Sequence, residues 1–153
     1  MGHIVSLLNN ITIFAGFTKE QYSTIGCLLE KIVYQDGDVI FEQGSEPSHI
    51  YIIEKGKVKL FLGDNKTPLE LIEFAQGACF GETAVIGIQP HAAMAVAEGH
   101  TELIVLSRKA LLSLYKTDLE LFSILILNIA REACRRLYQT DQVLLHYVLD
   151  TSA

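Results

Sequence analysis

The sequence predicts an α+β fold that is mainly β: a jelly-roll β-roll of the double-stranded β-helix kind, with short helices before it and a long helix after it. Three observations carry this. Between Lys31 and Leu106, short β-branched and aromatic runs alternate with glycines at 37, 44, 56, 63, 77, 81, 87 and 99, the pattern of many short strands closing into a barrel or roll. After Gly99 neither glycine nor proline occurs, so helices can run unbroken. Before Lys31, Thr18 followed by Glu20 and Gln21 marks a helix start.

The 153 residues suit one domain of ordinary size, read as N-terminal helices over 1–30, a β-roll over 31–106 and C-terminal helices over 107–150. Leu7 to Leu29 reads as helical, with Tyr22, Ile25 and Leu29 on one face. The strands are expected at 32–34, 39–41, 50–53, 58–61, 69–74, 92–97 and 103–106. Asp36-Gly37, Lys55-Gly56 and Gly63-Asp64-Asn65 read as turns, because Gly and Asn tolerate positive φ. Ser107 is expected to cap a short helix to Tyr115, and Asp118 a long one. Along that long helix Phe122, Ile126, Ile129, Ala133, Leu137, Leu144 and Val148 recur at spacings of three and four, with Thr140 filling the gap. A stripe of about 30 residues is roughly 45 Å long, longer than the roll beneath it. The excess predicts a homodimer formed through this helix.

Charge and composition narrow the function. The formal net charge of −6 speaks against broad nucleic-acid binding, where Lys and Arg must neutralise phosphates. Cys27, Cys79 and Cys134 lie far apart, and the five histidines show no ligand-like spacing, so no metal site is expected. The N-terminus lacks the basic region and long apolar run of a signal peptide. The most apolar stretch, Leu119 to Ala130, is interrupted by Glu120, Ser123 and Asn128 and is too short to span a bilayer. A cytoplasmic location with no membrane contact is the expectation.

Three segments then stand out in order: Tyr34-x-x-Gly37-Asp38-x-Ile40-Phe41-x-x-Gly44, Ile50-Tyr51-Ile52-Ile53-x-x-Gly56-x-Val58, and Gly77-x-x-Phe80-Gly81-Glu82-x-Ala84. Together they closely resemble the cyclic nucleotide-binding domain family, which includes the bacterial catabolite-activator and fumarate–nitrate regulators and the regulatory domains of kinases and ion channels. The resemblance covers roughly residues 7 to 150. It implies a ligand cassette at Phe80, Gly81, Glu82, Thr83, Ala84, His91 and Ala92, a cyclic nucleotide (cyclic AMP or cyclic GMP) as ligand, and Glu82 as acceptor for a ribose hydroxyl. The residues themselves read compatibly: Phe80 to Val85 looks like a strand entering a short helix through a glycine, whose N-terminal amides favour an anion. The bland reading of the same segment is a turn glycine and a helix-start glutamate.

The cassette departs from the family at its end. His91 stands where the family has an arginine for the cyclic phosphate, and Ala92 where it often has Ser or Thr. Arginine offers a permanent charge and a bidentate fork; histidine gives the ligand one donor and is mostly neutral near pH 7. Losing one charge-assisted hydrogen bond costs about 1.5–3 kcal/mol, roughly ten- to hundredfold in affinity. Three readings follow: weak binding of cyclic nucleotide, binding of a different small anion, or a relic with a structural role. The last two are favoured.

The resemblance also places residues of the long helix against the ligand's base. Two registers one turn apart fit, one presenting Arg136 and Leu137, the other Thr140 and Asp141. Arg131, Arg135 and Arg136 otherwise read as a solvated helix face with Glu132 among them, and Arg108 and Lys109 as solvated. No helix-turn-helix region follows the long helix in this chain, so the expectation is a non-enzymatic sensor or regulatory domain signalling through that helix, standing alone or as the sensing half of a transcription regulator. A cupin-like metal enzyme would need two histidines one residue apart, and none are. A haem sensor, with His91 or Cys79 as iron ligand, finds no second ligand that stands out.

Overall fold

The computed structural model describes residues 8–63 and 68–151. Six strands and four helices account for most of them: α1 (Lys19–Leu28), β1 (Leu29–Tyr34), β2 (Val39–Phe41), β3 (His49–Leu62), β4 (Leu69–Phe74), β5 (Cys79–Phe80), α2 (Glu82–Gly87), β6 (Met94–Ser107), α3 (Arg108–Thr117) and α4 (Leu119–Thr151). The expected α+β jelly roll is what forms.

Strands β3 and β6 form the spine. They pair antiparallel along their whole length, from His49 opposite Ser107 to Phe61 opposite Met94. β1 and β2 join β6, and β4 and β5 join β3. Ile50-Tyr51-Ile52-Ile53 and Leu103-Ile104-Val105-Leu106 are apolar without alternation because both faces are covered. Tyr51, Ile53, Leu103 and Val105 point into the roll with Val58, Phe74 and Phe80. Ile50, Ile52, Ile104 and Leu106 point out, under a layer of helices.

One expected turn is something else. Lys55-Gly56 does not reverse the chain: β3 runs through it, and the register against β6 shifts on either side of Lys55. This is a bulge, in which one strand carries extra residues and twists more sharply. Gly56 has φ 92°, and a Cβ there would lie 2.6 Å from both the His100 carbonyl oxygen and Thr101 Oγ1, so glycine is required. Likewise the strands expected at 92–97 and 103–106 are one strand, which starts only at Met94 and passes Gly99 at φ 72°. Of the third turn, 64–67 lie outside the described residues.

The helix termini follow their caps. Thr18 and Gln21 bond reciprocally as a capping box, Ser107 Oγ accepts from the Ala110 amide and Asp118 Oδ1 from the Leu121 amide. The helical reading of 7–29 is corrected on both sides of α1: Thr12–Phe14 is a single 3-10 turn and Leu29 already opens β1.

Helix α4 divides in two. Leu121, Leu125 and Ile129 are buried against α3 and the N-terminal turn, each contributing about 1.5–3 kcal/mol. Asn128 Nδ2 donates to the carbonyls of Ile13 and Ala15, 3.1 and 2.9 Å away. Of the expected stripe Ile129 is buried, while Leu121 and Leu125 take the buried places one position to the side of Phe122 and Ile126, which are half-buried. From Leu137 onward every described side chain is exposed, including Leu144 and Val148.

Candidate ligand site and its link to the long helix

The turn from β5 into α2 forms as the sequence suggests. Tyr51 and Ile52 hold Phe80 and Cys79 in the sheet, Gly81 turns with φ 82°, and α2 starts at Glu82. A Cβ on Gly81 would come 3.0 Å from the Tyr51 ring and 3.1 Å from the His49 carbonyl, so this turn admits only glycine without displacement. At the other end of α2, Ile88 is held at φ 52° with a β-branched side chain 71% exposed, a strained conformation.

Beside this turn lies a cavity of about 210 Å³. Gly81, Thr83, Ala84, His91 and Ala92 line it, with Phe41 and Gln89 among the others. Five of the seven expected cassette residues therefore meet around one space. Phe80 is buried in the roll, and Glu82 lies elsewhere.

His91 is tightly held. It is 4% exposed, its amide donates to the Ser45 carbonyl at 3.0 Å and its carbonyl accepts from the Gly44 amide at 2.8 Å. Its ring lies flat on Phe41, with centroids 3.6 Å apart and planes at 9°. Burial lowers its pKa, so the imidazole is neutral at pH 7.

Glu82 is 1% exposed and does not line this cavity. It borders a second, apolar cavity of about 250 Å³ between α2 and α4, with Ile86, Ile126, Ile129 and Ala133. Its Oε1 accepts from Arg136 Nη1 at 2.5 Å, while Oε2 is buried without a hydrogen-bond partner. Burial raises the carboxyl's pKa and the guanidinium pulls it back. Burial likewise pushes the Cys79 thiol well up, with the Glu82 charge adding to it.

Arg136 is the residue that sequence reasoning placed only in part. One of the two proposed registers did put it toward the ligand, but its basic neighbourhood read as solvated. Its guanidinium also donates to the Cys79 carbonyl, lies 4.8 Å over the Phe74 ring, and pairs with Glu132 Oε1 at 3.4 Å. Arg135, by contrast, is exposed and pairs with Glu132. In the other register Thr140 is exposed and bonds its own helix at the Arg136 carbonyl, 2.9 Å away; Leu137 and Asp141 are exposed as well. Arg108 borders an apolar cavity with Ile86 and Leu111 rather than standing free. Between His91 and Arg136 runs a file of rings: Phe41 approaches Phe80 at 6.0 Å, and Phe80 stacks on Phe74 at 5.8 Å and 11°.

A family model described as "cyclic nucleotide-binding domain" matches residues 31–118, more than half of the chain. The chain belongs to this family. Among curated relatives it is 27% identical, over 67% of its length, to the cAMP-dependent protein kinase regulatory subunit of Mucor circinelloides. It is 30% identical, over 84% of its length, to the cyclic AMP receptor protein of Thermus thermophilus. It spans 24% of the first and 58% of the second, so each match is to part of a longer protein. Among solved structures, a cyclic nucleotide-binding domain from Methylobacillus flagellatus superposes with a TM-score of 0.82 at 23% identity, covering 94% of this chain and 82% of that one. Among the described residues no three His, Cys, Asp or Glu side chains come together as a metal set, and no helix is long and apolar enough to cross a membrane.

Proposed function

We propose that this chain is a ligand sensor: a small molecule of the nucleoside or nucleotide class enters the cavity beside Gly81 and His91, and α4 carries the response outward. The observation that supports it best is Arg136 reaching from α4 to the Glu82 carboxylate, inside the segment that forms the cassette. Glu82 directly follows Gly81 of the cavity wall, so a ligand that shifts this turn moves the contact to Arg136 and has a differential interaction with two placements of α4, as any population shift demands. The rings between His91 and Arg136 give a packed mechanical route for the same coupling.

The exposed half of α4 is the output. Leu137, Leu144, Leu145 and Val148 are all more than half or about half exposed, and a two-fold pairing of two copies along this face is the reading that buries them. Because the chain spans 58% of the Thermus receptor protein, the same domain also suits the sensing half of a longer regulator.

Hydrogen exchange on the native chain, with and without saturating cyclic AMP, cyclic GMP, adenosine or guanosine, tests the reading. The expected result is slower exchange over 79–93 together with altered exchange over 130–145. Protection of the cassette with no change in α4 would remove the helix from the mechanism.

A further inference from the structure

The cassette cavity has an electrostatic character that bears on its ligand. Among the described residues, none of the ten that line it is Lys, Arg, Asp or Glu. Its polar side chains are the Thr83 hydroxyl, the Gln89 amide and the His91 imidazole. His91 is uncharged and cannot swing to follow an anion, since its backbone is bonded on both sides and its ring is stacked on Phe41. The guanidinium of Arg136 is committed to Glu82, the Cys79 carbonyl and the Phe74 ring.

We propose that this cavity takes an uncharged sugar group, so that the chain's ligand is a nucleoside and not its cyclic phosphate. The proposal rests on the reading that the cavity is the ligand site. A phosphodiester entering it would shed water and meet no charged side chain among the described residues, which is costly in a partly closed site. The anionic ligand expected from the resemblance is therefore disfavoured. Hydroxyls, which both donate and accept, match hydroxyl, amide and neutral imidazole well. At about 210 Å³ the cavity is smaller than the roughly 300 Å³ at which pockets for whole drug-sized ligands begin. It thus holds one part of the ligand and leaves the base outside it.

Calorimetric titration of the native chain at pH 7.5 with adenosine, guanosine, cyclic AMP and cyclic GMP tests this. At least one nucleoside is expected to bind about tenfold or more tighter than its own cyclic phosphate, because the phosphate's charge is desolvated without compensation. His91→Arg is expected to reverse the order. Should that buried substitution lower folding, as read by circular dichroism, Gln89→Arg at the exposed rim supplies the charge instead. Native binding of a cyclic phosphate as tight as that of its nucleoside overturns the proposal and leaves the ligand site standing. A folded cation-bearing variant that still prefers the nucleoside overturns it too. Binding of none of the four by either protein removes the site as well.

Discussion

Replacing Arg136 with Met keeps most of the aliphatic stem and removes the charge. Glu82 is then left 1% exposed, with no cation and with Oε2 already unpartnered. Breaking a buried pair from one side costs about 3–5 kcal/mol. The Arg136 side chain is 23% exposed, so solvent screens part of the interaction and the lower end, about 3 kcal/mol, is expected at pH 7.5. That is a large share of the roughly 5–15 kcal/mol that holds a domain folded. The deficit must depend on pH. Burial holds the Glu82 pKa above its ordinary value of 4.5 while Arg136 lowers it, so loss of Arg136 raises it further. A carboxyl with a raised folded pKa favours the folded state fully below its unfolded value, and that contribution is lost as pH rises through the folded value. The Arg136→Met deficit should therefore be smaller at pH 5.0 than at pH 7.5. Glu82→Gln in the same background should restore most of the loss at pH 7.5. Urea denaturation followed by circular dichroism at both pH values measures the native chain, Arg136→Met and the double variant. An Arg136→Met variant within about 0.5 kcal/mol of native at pH 7.5, or a deficit that does not change with pH, would refute the reasoning.

Three other outcomes are expected. Gly56→Ala should cost more than 2 kcal/mol in the same urea assay, because the φ is unfavourable and the new methyl meets backbone at 2.6 Å. Ile88→Gly should raise stability by about 1 kcal/mol, since it relieves a left-handed β-branched residue that packs on little; an unchanged or lower urea midpoint would count against that strain. His91→Phe should flatten the stability profile below pH 6.5. A histidine whose folded pKa is lowered gives its full stability above the unfolded value and loses it as pH falls toward the folded one, and phenylalanine keeps the stack on Phe41 without titrating.

What could be read from the residues, and what could not, follows from how far each signal reaches. Caps are local: Thr18, Ser107 and Asp118 each bond within three residues, and each was legible. Gly56 and Gly99 announced a positive φ but not its use, because turn and bulge ask the same of a glycine and differ only in the strand opposite. The cassette was legible as a turn between a strand and a helix, yet the direction of Glu82 was not. That depends on Arg136, 54 residues away, whose three-arginine neighbourhood looks alike from every side of a helix until its partner is known. The same limit explains the buried face of α4: Ile129 was expected there, but Leu121 and Leu125 face a layer of side chains whose phase no periodicity within the helix reports.

The division of α4 into a packed half and a free half has a mechanical consequence. At 33 residues the helix is about 50 Å long, and Arg136 sits near its middle, with roughly 22 Å extending beyond it. On the function proposed above, the helix would act as a lever held at its packed half, with Arg136 as its last contact to the cassette segment. A tilt of about 10° there, too small to disturb the roll, carries the far end through about 4 Å, close to the spacing between neighbouring side chains on the helix surface. On that proposal, a contact made or lost at Glu82 would reach the distal residues amplified by the length of helix beyond Arg136.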